Sequence, residues 1–175
     1  MKPDRYRLHL VQDRFQPALL DRLTDTMPRR AADPAGGAIL SHAELRRSVL
    51  RDLRWLLNTL NLEATHNLDA YAQVRESTLN YGIGAMAGRR MSEVDWLDLE
   101  NAMTRAIRSF EPRILPDTLV VRCAAEADAL VHHNIVSLSI QGMLWCVPHP
   151  LEFLFRTEID LESGDVALAD MGAAG

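Results

Sequence analysis

The hydrophobic positions fall into two rhythms, a helical one in the first two thirds of the chain and an alternating one in the last third. Ser41 with Glu44 three residues later is a capping box that opens a long helix. Leu45, Val49, Leu50, Leu53, Leu56 and Leu57 then share one arc at 3.6 residues per turn, with Arg47, Arg51, Arg54 and Asn58 on the other side. Ser92, reinforced by Asp95, is expected to open a second helix, with Trp96, Leu99, Met103, Ala106, Ile107 and Phe110 on its apolar face. Strand-like stretches follow. Residues 118–123 are rich in strand formers, and Val136, Leu138 and Ile140 alternate with Ser137, Ser139 and Gln141. Leu151, Phe153, Phe155, Thr157 and Ile159 mark another strand, and residues 162–165 form a turn before a short return at residues 166–168. Two amphipathic helices packed on a small antiparallel sheet make an α+β fold.

Ahead of this core, Leu19, Leu20 and Leu23 lie on one face of a short segment that Pro17 starts, giving the fold a short N-terminal helical extension. Two turns of helix are not stable alone, so the segment is expected to dock on this domain or on a partner. Residues 28–37, rich in Pro, Gly and Ala, read as a mobile linker. The pattern divides the chain into an extension with a flexible linker (1–40), a core domain (41–170) and a frayed tail (171–175). Between the long helices, residues 61–88 read as loop and short turns, with Asn80-Tyr81-Gly82 as turn chemistry.

With 175 residues, 47% of them hydrophobic, the chain is long enough for a real core. Its net charge of −5 is unevenly spread: residues 1–30 carry seven basic and four acidic side chains, residues 115–175 two and nine. That polarity does not suggest nucleic acid, which calls for a concentrated basic surface, and it suits a protein seated between unlike neighbours. No stretch is apolar enough to insert in a membrane, and no secretory signal is visible at the start. Cys123 and Cys146, far apart, read as reduced buried thiols in a cytoplasm.

Catalytic chemistry finds little footing. His132 and His133 would face opposite ways on a strand, and His9, His42, His66 and His149 stand alone, so no metal site and no cofactor is expected. Gly82, Gly84 and Gly88 lack the lysine and hydroxyl of a phosphate loop. There is no Gly-x-Ser-x-Gly elbow, and Cys146 is read as structural. A glycosidase needs two carboxylates across a cleft; Glu111 is one, but Arg113 beside it would keep it ionised, and position marks no second. The reading is a binding or assembly module rather than an enzyme.

The most telling stretch is Phe110-Glu111-Pro112-Arg113. Pro112 ends the second helix and biases Glu111 toward extended angles, which would turn Glu111 and Arg113 to one side. An acid at a helix C-terminus meets the negative end of the dipole and calls for compensation. The ordinary explanation is an internal ion pair that pins a turn; the other is a charged pair displayed to a partner. Trp55, off the leucine arc, is either covered by a loop or kept for a partner.

Four stretches in order resemble the TssE family, lysozyme-named wedge subunits of the type VI secretion baseplate. They are residues 19–25, residues 49–59, residues 77–82 and residues 110–114 with the strands after them. Leu60 stands where the family more often has a basic residue. The resemblance implies a non-enzymatic baseplate component, akin to phage-tail wedge proteins, in spite of the lysozyme name. It implies the wedge proteins TssF and TssG as partners, with TssK in the same complex, and the sheath proteins TssB and TssC, whose assembly it would help start by strand pairing. It also implies a cytoplasmic site at the baseplate docked on the inner-membrane complex. It favours the displayed reading of the corner. The expected partner-binding residues are then Glu111, Pro112, Arg113, Trp55, Leu19, Leu20 and Leu23. The competing reading is a peptidoglycan-degrading hydrolase.

Overall fold

The computed structural model of the chain describes residues 18–24, 40–123 and 134–172. The linker expected at residues 28–37, His9, the His132-His133 pair and the last three residues of the tail lie outside the described residues. Among the described residues there are four helices, α1 (Leu19–Leu23), α2 (His42–Leu57), α3 (Ala72–Arg75) and α4 (Trp96–Phe110). Four strands follow: β1 (Val120–Cys123), β2 (Ile135–Leu144), β3 (Leu151–Asp160) and β4 (Val166–Asp170). They form one antiparallel sheet in the order β1-β2-β3-β4. The fold is α+β, as the two rhythms predict.

The capping box at the start of α2 is complete. The Ser41 amide donates to Glu44 Oε2 at 2.7 Å and the Glu44 amide donates to Ser41 Oγ at 3.2 Å. Leu45, Val49, Leu53, Leu56 and Leu57 are buried, and Leu50 packs against the core from its rim. The start of α4 differs from the expectation. Ser92 lies in a 3-10 turn, Met91–Glu93, and Asp95 is the cap, accepting from the Leu97 and Asp98 amides at 2.9 and 3.1 Å. An aspartate whose carboxylate reaches two orphan amides outcompetes a serine three residues upstream. Trp96, the first residue of α4, is therefore at the end of its apolar face and is partly exposed rather than core. Leu99, Met103, Ala106 and Ile107 do face inward.

Both long helices cover the same face of the sheet, α4 over β1 and α2 over β4, and they touch each other. That face is filled by Val136, Leu138 and Ile140 of β2, Phe153, Phe155 and Ile159 of β3 and Val166 and Leu168 of β4. Register sets Ile140 beside Phe155, so large side chains from neighbouring strands meet. Each such side chain, fully buried, contributes roughly 1.5–3 kcal/mol. Thr157 alone puts a hydroxyl on this face of β3, and its Oγ1 has no hydrogen-bond partner among the described residues.

The loop between the helices is tied down by two residues of its turn. Buried Asn80 accepts from the Glu63 amide at 2.9 Å and donates to the Arg75 carbonyl at 3.0 Å. Gly82 has φ of 122°, and a Cβ there would lie 2.2 Å from the Thr59 carbonyl oxygen. Only glycine allows both that angle and that approach. Ile83 can then donate to the Thr59 carbonyl at 2.9 Å and accept from the Asn61 amide at 3.0 Å, closing the loop on the end of α2. Leu60 forms the bridge to Ile83 while its side chain stays exposed.

Candidate functional site

At the end of α4 the chain turns rather than extends. The Ile114 amide donates to the Glu111 carbonyl at 3.2 Å across four residues, with Pro112 supplying the fixed φ of the second position. Glu111, at φ −122° and ψ 78°, is the residue that leaves the helix. Its side chain and that of Arg113 do meet on one side. Arg113 Nε donates to Glu111 Oε1 at 2.7 Å, its backbone amide donates to the same oxygen at 3.2 Å, and Nη2 pairs with Oε2.

That side faces the protein. Glu111 is only 3% exposed, so its carboxylate is an internal ligand of Arg113 and not a group displayed for a partner. The expectation of outward projection fails because the turn, unlike an extended strand, folds both side chains back onto α2. There Arg113 donates to Ser48 Oγ at 2.9 Å and to Asp52 Oδ2 at 2.6 Å. Ser48 and Asp52, four residues apart, present their side chains on one face of α2.

From Asp52 the charges continue. Arg51 Nε donates to Asp52 Oδ1 at 2.8 Å, and its terminal nitrogens pair with Asp21 of the leader helix α1. Ser48 closes a shorter path, donating to Asp21 Oδ2 at 3.1 Å while it accepts from Arg113. The result is an alternating row, Asp21-Arg51-Asp52-Arg113-Glu111, that joins the leader to the corner. Arg51 also lies over the ring of Trp55, 4.9 Å from its centroid. Among the described residues no loop roofs Trp55; it is half-exposed with one face under a guanidinium.

The charges respond to this setting. The hydrogen bond from Arg51 holds the Asp21 carboxyl below its usual range, against a smaller opposing effect of burial. Arg51 is raised in turn by its bond to Asp21. Burial works against the charge on Arg113, but the bonds and attraction of Glu111, then of Asp52, overcome it and raise its pKa. Tyr81, whose ring meets Phe110 edge-on at 5.2 Å, is raised by burial and then by the negative charges of Asp52 and Glu111.

The leader is attached by its polar side. None of its residues is buried, and Leu19 and Leu23 are 69% and 74% exposed, with Leu20 also exposed. The expected site residues therefore divide. Glu111 is inside, Arg113 bridges inward, and Leu19, Leu20, Leu23 and Trp55 remain on the surface. Sequence reasoning missed Asp21, Ser48, Arg51 and Asp52 as the ties between them. Its available signal was a serine and an aspartate at i, i+4 on a leucine-rich helix. It also missed Trp145, exposed just after β2, whose amide donates to the Arg113 carbonyl at 2.7 Å.

Residues 43–149 match the family described as baseplate wedge protein gp25. The chain belongs to the gp25 baseplate wedge family. No curated protein and no solved structure matches it. The gp25 span runs from the start of α2 through α4 and the corner to β2, so it holds Ser48, Arg51, Asp52, Glu111 and Arg113. Asp21 and the leader leucines lie ahead of it.

Proposed function

We propose that this chain is the TssE-like wedge subunit of a type VI secretion baseplate, a structural part with no catalytic role. In this reading it joins TssF and TssG, with TssK in the same complex, and helps to start the sheath of TssB and TssC from the cytoplasmic face of the inner-membrane complex. The gp25 family supports the baseplate role in its general form. The observation that carries the finer reading is the leader: a helix whose aspartate clips it to the core and whose three leucines point away from it. Exposed leucines on a positioned helix are anchors for a partner's groove.

The charges of the corner support assembly over hydrolysis. Glu111, which is buried, and Asp52 are both tied to the guanidinium of Arg113, which lies between them. A groove of about 460 Å³ beside residues 83–86 and the first half of α4 is lined by neither of them. Among the described residues no helix is long and apolar enough to cross a membrane.

The test is binding of the full chain to a co-expressed TssF–TssG complex. Leu19→Ser/Leu20→Ser/Leu23→Ser should weaken binding by roughly tenfold or more with an unchanged melt. Full affinity of that variant would remove the leader from the interface. Failure of the wild-type chain to bind would remove the wedge reading itself.

A further inference from the structure

Among the described residues the last strand of the sheet has an edge that carries no strand, yet it is not open. The Asp160 amide donates to the Asp165 carbonyl at 3.0 Å and the Met171 amide to the Leu154 carbonyl at 2.9 Å. In an antiparallel ladder of this register, residues 165, 167, 169 and 171 turn their backbone groups to β3. Val166, Leu168 and Asp170 then turn theirs to the outer edge. At that edge stands the polar side of α2. Asn58 Nδ2 donates to the Val166 carbonyl at 2.9 Å, and the Val166 amide donates to Asn58 Oδ1 at 2.9 Å. These are the two bonds that a residue of a fifth antiparallel strand would exchange with Val166. Four residues back, Arg54 Nη2 donates to the Leu168 carbonyl at 3.1 Å. Two turns further, Arg46 grips the Asp170 carboxylate through Nε and Nη2 at 2.9 and 2.6 Å. Asn58 is itself held, donating to the Arg54 carbonyl at 2.8 Å.

We propose that Asn58, with Arg54, is a side-chain stopper that closes the β4 edge against strand addition, and that the strand it excludes is β4 of a second copy. An unpaired edge is a template for another chain. The outward groups at Val166, Leu168 and Asp170 are spaced symmetrically about Leu168, so a two-fold axis there sets two copies of β4 in register. The exposed residues between them, Ala167 and Ala169, are small and uncharged and oppose nothing. A helix side chain that supplies both bonds at the end of this row removes the template without a fifth strand. The inference does not depend on the baseplate reading.

Amide hydrogen exchange and sedimentation of the full chain test it. In the wild-type chain the Val166 amide exchanges as slowly as those of Ala167 and Ala169, which point at β3. Arg54→Ala/Asn58→Ala speeds exchange at Val166 by about tenfold or more while Ala167 and Ala169 keep their rates. The same variant gains a dimer that grows with concentration. Adding Ala167→Lys and Ala169→Lys, which face each other across the two-fold, returns it to monomer. Should the double variant be unfolded, Asn58→Ala alone shows the same release of Val166 with a smaller dimer fraction. Fast exchange of Val166 in the wild type overturns the proposal. So does a folded variant that frees this amide and stays monomeric, because then the helix backbone, not its side chains, closes the edge. A dimer that the lysines leave intact places the contact elsewhere and overturns it equally.

Discussion

The leader clip and the Glu-Pro-Arg corner use the same chemistry at two ends of one row of charges. Each is a carboxylate held by a guanidinium. At the corner, the side chain of Glu111 is 4% exposed and that of Arg113 23%. At the clip, Arg51 is 34% and Asp21 24% exposed. Water reaches both members of the second pair and only the guanidinium of the first. The corner is therefore a structural pin whose loss leaves a buried charge, and the clip is a weak fastener that positions a helix. The difference fits their neighbours: the pin lies where α4 hands over to the sheet, the clip under three leucines turned outward.

Removing a partner from the pin should give the largest effect. Glu111→Ala should destabilise the chain by about 3–5 kcal/mol, because Arg113, its side chain only 23% exposed, is left with one of its two acids gone. Chemical denaturation measures it, and a loss under about 1 kcal/mol would mean that Arg113 escapes to solvent and that burial does not separate the two regions. Asp52→Asn stands in the middle, since it touches both ends. A loss of roughly 1–3 kcal/mol is expected, most of it through Arg113, which still has Glu111. A double-mutant cycle with Glu111→Ala should give a clear coupling energy.

Asp21→Ala should change global stability by only about 0–1 kcal/mol. Its effect should appear locally, as faster amide exchange at Leu23 and Thr24 and altered Trp55 fluorescence once Arg51 is free to move off the ring. A loss as large as that of Glu111→Ala would show that the leader belongs to the core.

Acid should produce the smallest effect and the cleanest separation. The pKa of Asp21 is depressed in the folded chain, so its contribution is fully present above the ordinary value of 3.8 and is lost as pH falls through its lower folded value. Trp55 fluorescence in wild type should show a leader-release step there that Asp21→Asn lacks. An identical acid transition in both would assign it to another carboxylate.

Much of the fold was legible from pattern alone. The capping box at Ser41 and Glu44, the leucine arc of α2 and the alternation in β2 and β3 each depend on neighbours within a few residues. The start of α4 was misread by three residues because Ser92 and Asp95 are both good caps locally, and only the path of the chain decides which carboxyl or hydroxyl meets free amides. The Glu111-Pro112-Arg113 stretch was read as extended and is a turn, although its acid and base do meet on one side as expected. Its direction was not legible, since same-side projection does not say which side holds water.

By itself the sequence determined the α+β class, the two long helices, the strands, the need for glycine chemistry at the turn before Ile83, and the family-like order of its motifs. Those follow from short-range periodicity and local backbone preference. Tertiary structure alone decided that Glu111 is buried, that Ser48 and Asp52 receive Arg113, that Asp21 reaches Arg51 thirty residues away, and that Asn58 closes the edge of β4. Each of those joins residues far apart in the chain, and the value of a charge or a hydrogen bond depends on the water left around it, which no local pattern encodes.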